Sequence, residues 1–326
     1  MFKECGIMLD SHGRDINYLR ISVTGMCNLR CSYCMPEGGI KKKAHKEILS
    51  LETIEQIAFS AVDLGFQKIR ITGGEPLVRK GIIDVIHQIA QLKSRGLKDL
   101  GLTTNGTLLS GYADELKKMG LTRVNISLDS LDAEKYSQIT RGGKLSSVLE
   151  GIQAAKEAKL WPLKINVVLI GGFNDDEIEE FVNLTREDDV EVRFIELMPI
   201  GEASGWDREH FLSGTEILKR VPQLMPLAVK GQGAVARLYK LPNSKGRVGI
   251  ISPLSNHFCN YCNRIRITPD GKLKPCLHSD LELDIRNYGE DYERFLLDGV
   301  FAKPNRHSMQ NEDYEPVLRN MNEIGG

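Results

Sequence analysis

The sequence predicts an α/β protein: a partial, TIM-like (β/α)6 barrel over residues 1–205, then a mainly β extension over residues 206–326. Three observations carry this. Short β-branched runs alternate six times with longer amphipathic segments; Ser or Asp marks several helix entries and Gly the exits; both regularities lapse near residue 205. Strict alternation requires parallel strands joined by right-handed crossovers, and a doubly wound open sheet is the alternative packing of the same units.

In chain order the strands are YLRISV (18–23), KIRIT (68–72), DLGLTT (99–104), RVNISL (123–128), KINVVLI (164–170) and EVRFIEL (191–197). SLETIEQIAFSAVDLG, GIIDVIHQIAQLKSRG, the segment around YADELKKMG, SSVLEGIQAAKEAK and DDEIEEFVNLTRE each repeat apolar residues at three-and-four spacing, which predicts helices. After MPIGEASGW, Gly and Pro rise, and VARLYKL, GRVGIIS and RIRITPDGKLK read as short antiparallel strands, the last turning at Asp270-Gly271. The final NEIGG reads as a helix remnant with a bare Gly325-Gly326 tail.

Of 326 residues, 41% are hydrophobic and 27% charged, the profile of an ordinary globular chain. Lys and Arg total 43 against 44 acids, so no global field attracts nucleic acid or an anionic membrane, and any anion site must be local. The opening MFKECGIMLD lacks the apolar run of a secretion signal and no stretch is long enough to span a bilayer, so a cytoplasmic location is expected.

Six of the seven cysteines form two tight triplets, a spacing that suits metal ligation better than a disulfide framework. Cys5 is left over as an incidental thiol. Cys27, Cys31 and Cys34 would share one face of a helix, but Gly25 before them and MPEGG after them mark a loop leaving the first strand. A closed zinc site needs a fourth ligand, and only His45 is near. An iron–sulfur cube usually takes four thiolates, so three leave one iron open to a ligand.

Other strand ends carry chemistry too. In TGGEP, Gly73 and Gly74 allow close backbone approach to a ligand as well as a tight turn. Thr103 and Ser127 stand at the carboxyl ends of their strands, where barrel active sites are built, whereas Asp132 reads as a helix cap. Arg20, Arg70 and Lys164 lie within strands, where an unpaired charge is costly, so each needs a carboxylate such as Glu75 or Glu196, or a bound phosphate. Lys41, Lys42 and Lys43 read as a solvated run. In the second triplet, Cys259, Cys262 and Cys276, zinc is a serious rival because His257 or His278 would complete a Cys3His set. Arg264 and Arg266 alternate on one strand face, where their forks could clamp phosphate.

C-x-x-x-C-x-Tyr-C after a first strand, with TGGEP after the second, resembles the radical S-adenosylmethionine superfamily. With CNRIRIT, KPCL and the terminal Gly-Gly, the chain from Leu19 to Gly326 resembles the GTP 3′,8-cyclase family. The resemblance implies a 4Fe–4S cluster on Cys27, Cys31 and Cys34, and a second on Cys259, Cys262 and Cys276. It implies S-adenosylmethionine contacts at Tyr33, Gly74, Ser127 and Met198, and GTP contacts at Arg20, Arg70, Thr103, Lys164, Arg264, Ile265 and Arg266. The tail Gly325-Gly326 would thread into the active site. The implied partners are GTP, a reduced flavodoxin- or ferredoxin-like donor and a downstream cyclic pyranopterin synthase, with a homodimer as one assembly option. Gly25-Met26 stands where the family commonly has Asp-Arg, a departure that touches no cluster ligand. Two rivals are a radical peptide- or protein-modifying enzyme with an auxiliary cluster, and a non-catalytic zinc or iron–sulfur binding protein. The first usually carries more carboxy-terminal cysteines; the second predicts zinc in the second site.

Overall fold

The structure, a computed structural model, describes residues 8–41, 43–206, 208–228, 233, 235–309, 314, 316, 317 and 319–325. Cys5, Lys42 and Gly326 lie outside them.

The six expected units are present. Strands β1 (Tyr18–Ser22), β2 (Lys68–Thr72), β3 (Asp99–Thr104), β4 (Arg123–Ser127), β5 (Leu163–Leu169) and β6 (Val190–Glu196) pair in parallel in sequence order. They are connected through helices α1 (Leu51–Asp63), α2 (Ile82–Gln91), α3 (Ala113–Lys118), α4 (Ala133–Thr140), α5 (Leu145–Glu157) and α6 (Ile178–Glu187). Ser50 caps α1 by accepting from the Thr53 backbone N–H, and Asp132 caps α4 as expected, accepting from Glu134 and Lys135. The α4 segment is only eight residues long and carries few apolar residues, which is why sequence reading passed over it.

The later part adds α7 (Thr215–Arg220), β7 (Met225–Pro226), β8 (Arg237–Lys240), β9 (Arg247–Ile251), β10 (Arg264–Ile267), β11 (Lys272–Lys274), β12 (Leu283–Asp284), α8 (Tyr292–Phe301) and α9 (Met321–Ile324). Here the structure departs from the expectation of antiparallel strands throughout. β9 pairs in parallel with β6, and β10 in parallel with β1, so both extend the barrel sheet at its two edges. Antiparallel pairing is confined to β7–β8–β9 and β10–β11–β12, and one twelve-stranded sheet results.

Alternation along the strands sorts the side chains. Leu19, Ile21, Ile69, Ile71, Leu100, Leu102, Val124 and Ile126 are essentially inaccessible on the face packed against the helices. The residues between them face inward across the sheet. Register makes them neighbours: Tyr18, Arg20 and Ser22 lie beside Lys68, Arg70 and Thr72, and Arg20 beside Arg266.

Candidate active site

The inward face encloses a cavity of about 660 Å3 that reaches both cysteine triplets. The first triplet leaves the carboxyl end of β1, whereas Cys259 and Cys262 enter the amino end of β10. Because β1 and β10 are parallel neighbours, the triplets stand at opposite ends of the lumen. A five-residue strand separates them, about 16 Å.

Ten cations line the lumen: Arg20, Lys68, Arg70, Arg123, Lys164, Arg193, Arg247, Arg264, Arg266 and Lys303. Among the described residues, three lining acids, Asp129, Glu191 and Glu196, oppose them, and Asp99 behind the lining pairs with Arg123. Neither carboxylate considered from sequence as a partner for the strand cations serves that purpose. Glu75 is buried and accepts from the Thr104 hydroxyl at 2.9 Å, Asn105 N at 2.7 Å and Leu77 N at 3.0 Å, and burial lifts its carboxyl to about 7 despite these bonds. Glu196 accepts from the backbone N–H groups of Gly214, Leu254 and Ser255.

Arg70, 1% exposed, instead donates to Tyr18 Oη, Leu102 O and Asn125 Oδ1, each at 3.1 Å. Lys164 donates to Glu191 at 2.9 Å, but that carboxylate also serves Arg193 and Arg247. One anion shared among three cations stays ionised, while burial and then Arg193 lower the Lys164 pKa. The local potential is positive enough that Tyr18, although burial raises its phenol, is drawn down to about 6 by Arg70, Arg20, Arg123 and Arg264. Polar atoms that face the lumen without a partner among the described residues include Thr103 Oγ1, Asn166 Oδ1, Arg264 Nε and His278 Nδ1. An anion would accept from Thr103 Oγ1 and Arg264 Nε, whereas Asn166 Oδ1 needs a donor such as a hydroxyl or amine.

At the first triplet, Gly74 N donates to Thr24 O at 2.7 Å and Glu75 N to Met26 O at 2.8 Å, so the TGGEP turn is bonded onto the cysteine loop. A Cβ on Gly74 would lie 2.5 Å from Met26 O, so close backbone packing requires the glycine, which also lines the lumen. Met26 and Gly25 meet this turn through backbone oxygens, and Gly25 O also accepts from Asn322 Nδ2 at 3.0 Å. Tyr33 donates to Asp129 at 2.7 Å; Val168 N also donates to Asp129, whose carboxyl is raised by burial to about 6. Tyr33, Ser127 and Met198 line the lumen, as do Thr103, Arg20, Arg70, Lys164, Arg264 and Arg266. Ile265 is fully buried among core residues, leaving its main chain as its means of contact. Arg266 donates to Gly325 O at 2.8 Å, and a Cβ on Gly325 would meet Ser22 at 2.7 Å, so the tail lies against the strand ends.

The thiols of the first triplet fit a cluster better than a lone ion. All six cysteines are free and partly buried. Cys27, Cys31 and Cys34 affect one another electrostatically, and burial, with Cys27 beside it, pushes Cys34 up to about 12, so a metal is what would make these thiols thiolates. Among the described residues, only His257, Cys259 and His307 place donor atoms within the 4.8 Å that one ion needs, so a single-ion arrangement is available beside the second triplet and not at the first. The zinc pairing with His278 considered from sequence is therefore not the arrangement found; His307, fifty residues beyond His257, stands there instead at 2.8 Å from it. Lys41 and Lys43 are exposed as expected of a solvated run, and Lys43 pairs at the surface with Asp270 at 2.9 Å.

Sequence reading missed Lys68, Arg123, Arg193, Arg247, Asn125 and Asn166 as lumen residues. Their signal was available: charged and apolar residues alternate in KIRIT, RVNIS, KINVV and EVRFIE, and an apolar outer face turns every polar partner inward.

Two family models match in tandem, the Radical SAM superfamily over residues 21–185 and Molybdenum Cofactor Synthesis C over residues 190–309. The chain is 54% identical to the GTP 3′,8-cyclase of Alkaliphilus metalliredigens over 98% of this chain and 100% of that one. It is 52% identical to the GTP 3′,8-cyclase of Peptoclostridium acidaminophilum over 98% of each. Among solved structures, Streptococcus suis SuiB bound to its precursor peptide SuiA shares the fold at a TM-score of 0.61 and 15% identity, over 90% of this chain and 67% of that one. The AdoMet-bound anSMEcpe does so at 0.61 and 17%, over 90% and 79%. These partial-barrel likenesses bear on fold, and the curated relatives bear on kinship: the chain belongs to the GTP 3′,8-cyclase family of the radical S-adenosylmethionine superfamily.

Proposed function

We propose that this chain is a lyase that converts GTP into 3′,8-cyclo-7,8-dihydro-GTP, the first step of molybdenum cofactor biosynthesis. The observation that carries this is the lumen, in which ten cations face three acids between two separate thiol triplets. A nucleoside triphosphate brings several of the missing negative charges on one small molecule, which a neutral peptide would not.

In this reading Cys27, Cys31 and Cys34 hold one 4Fe–4S cluster, and Cys259, Cys262 and Cys276 hold a second. Tyr33, Gly74, Ser127 and Met198 contact S-adenosylmethionine. Arg20, Arg70, Thr103, Lys164, Arg264, the main chain of Ile265, and Arg266 contact GTP, and Gly325-Gly326 closes against them. Residues 206–326 form an extension that covers the lumen left by the barrel of residues 1–205. When bound, the first cluster and S-adenosylmethionine would supply the 5′-deoxyadenosyl radical chemistry that takes hydrogen from the ribose 3′ carbon, and bonding of that carbon to guanine carbon 8 is completed by one further electron and one proton. The protein's own contribution is orientation and exclusion of water: cationic forks fix the triphosphate, and buried strand ends enclose the ribose. A reduced flavodoxin- or ferredoxin-like donor supplies electrons, a cyclic pyranopterin synthase takes the product, and a homodimer is the assembly we favour testing. No helix among the described residues is long and apolar enough to cross a membrane, which is compatible with work in the cytoplasm.

The test is anaerobic reconstitution, counting iron and zinc, then following 5′-deoxyadenosine and cyclised product with GTP, ATP or no nucleotide. About eight irons and GTP-dependent cyclisation are expected. Zinc at the second triplet, or deoxyadenosine formed without regard to nucleotide and with no cyclised product, would refute the proposal.

A further inference from the structure

Residues 8–16 precede both family-model matches, yet they reach the second triplet. DSHGR folds into a tight turn: His12 N and Arg14 N each donate to Asp10 Oδ1 at 2.9 Å, and Arg14 Nε donates to Asp10 Oδ2 at 2.6 Å. Both side chains are buried, at 7% exposure for Arg14 and 0% for Asp10. The rest of the fork donates to three carbonyls: Cys259 O at 3.0 Å, Asn305 O at 2.8 Å and Pro304 O at 2.7 Å. The residue before that pair, Lys303, is 4% exposed and donates to Arg264 O at 2.8 Å and Pro275 O at 2.9 Å. Arg264 follows Cys262 by two residues, and Pro275 immediately precedes Cys276.

Each cysteine-bearing segment is thus tied to one of two buried cations, and consecutive residues 303–305 tie the cations to each other. The charges differ in kind. Arg14 carries its own carboxylate, whereas Lys303 spends its bonds on carbonyls and lines the lumen together with Cys262 and Cys276. The first triplet lies beside carboxylates instead, Asp129 and Glu75.

We propose that Arg14 and Lys303 are positioning residues that assemble the second thiolate triplet before its cluster is built, and that Lys303 supplies the uncompensated positive charge beside it. This rests on the reading that the second triplet holds a cluster. A cation at that position stabilises the more negative, reduced state, so its loss lowers the cluster's reduction potential.

The experiment uses the full chain, reconstituted anaerobically, with Lys303→Met, Lys303→Arg and Arg14→Lys. The readouts are iron per chain, the electron paramagnetic resonance signal of each cluster, midpoint potentials, and the rate at which a chelator strips each cluster. The first cluster is the internal control for folding. Expected are a more negative second-cluster potential in Lys303→Met, restored in Lys303→Arg, and at least about tenfold faster stripping of the second cluster in Lys303→Met and Arg14→Lys, since each loses one or more charge-assisted hydrogen bonds to a cysteine-bearing segment. Wild-type potentials and stripping rates in Lys303→Met and Arg14→Lys overturn the clamp, as does parallel loss of both clusters, which would make the pair a general folding element. Only about four irons in the wild-type chain would instead refute the two-cluster reading on which the clamp rests.

Discussion

Gly101→Ala should weaken GTP binding without replacing any ligand-binding side chain. Gly101 lies in β3 beside Arg70 of β2, and the Arg70 guanidinium rests on the space where a Cβ would be. An added Cβ would sit 2.6 Å from Arg70 Cζ and from Nη1, and 3.0 Å from Nη2. Ordinary carbon contact is about 3.5–4.0 Å, so the fork must retreat by about 1 Å. Its bonds to Tyr18 Oη, Leu102 O and Asn125 Oδ1 all start at 3.1 Å, so that retreat stretches them past useful length. The strand itself accepts alanine, which elsewhere would stabilise by about 0.5–1 kcal/mol, so any loss is steric. Overpacking is expected to cost about 1–3 kcal/mol of stability. Loss of one charge-assisted phosphate contact, about 1.5–3 kcal/mol, corresponds to roughly 10- to 150-fold weaker GTP binding. The assay is titration calorimetry on iron-loaded protein, with iron content as a control that should not change. The decisive arm is the cycle with Arg70→Met: once the guanidinium is gone, Gly101→Ala has nothing to displace and should add little. Wild-type affinity in Gly101→Ala, or fully additive losses in the double variant, would refute this account.

Two further expectations concern protons and the tail. Because burial and Arg193 hold Lys164 down to about 7, a triphosphate beside it should raise that pKa, and GTP binding should take up protons at pH 7–8 but not at pH 6. Binding heats in buffers of different ionisation enthalpy would show this; heats independent of buffer at pH 8 would exclude it. Asp270 accepts from Lys43 at 2.9 Å and from Arg319 at 3.1 Å, and with Thr268 these outweigh burial and hold its carboxyl far below the ordinary range. Its contribution is complete above the unfolded carboxyl's pKa, about 4, and is lost as pH falls below that. Arg319→Met should reproduce the acid effect at neutral pH: faster hydrogen exchange over residues 319–325 and unchanged exchange in β1–β6. Equal tail protection in the variant and the parent would dismiss Arg319 as the anchor.

The barrel was readable because its period is local. Each strand announces itself by β-branched residues and each long helix by its stripe, and the observed strands begin and end within one residue of the expected runs. The later strands were readable as strands but not as parallel ones, since nothing within GRVGIIS or RIRIT says that the barrel edges, β6 and β1, are free to receive them. The site shows the same division. Cysteine spacing is local and gave the triplets, whereas His307 beside His257 and Arg14 beside Cys259 are contacts across 50 and 245 residues that no spacing rule connects. Glu191 was passed over for a different reason: its value lies in serving three cations from three strands, a property of register and not of composition.

The pairing of β10 with β1 acts as a ruler. It holds the two thiol triplets apart by the length of backbone between them, in hydrogen-bonded register, so lengthening a loop cannot move one triplet toward the other. The ruler is also graduated coarsely. A slip of one residue would turn Arg264 and Arg266 into the core and Ile265 into the lumen, so the gap can change only in two-residue steps of about 7 Å. That step is large against the size of a nucleotide. The reach between the two thiol-bearing ends is therefore a quantised property of the sheet, and whatever spans it is selected by length before any side chain reads its chemistry.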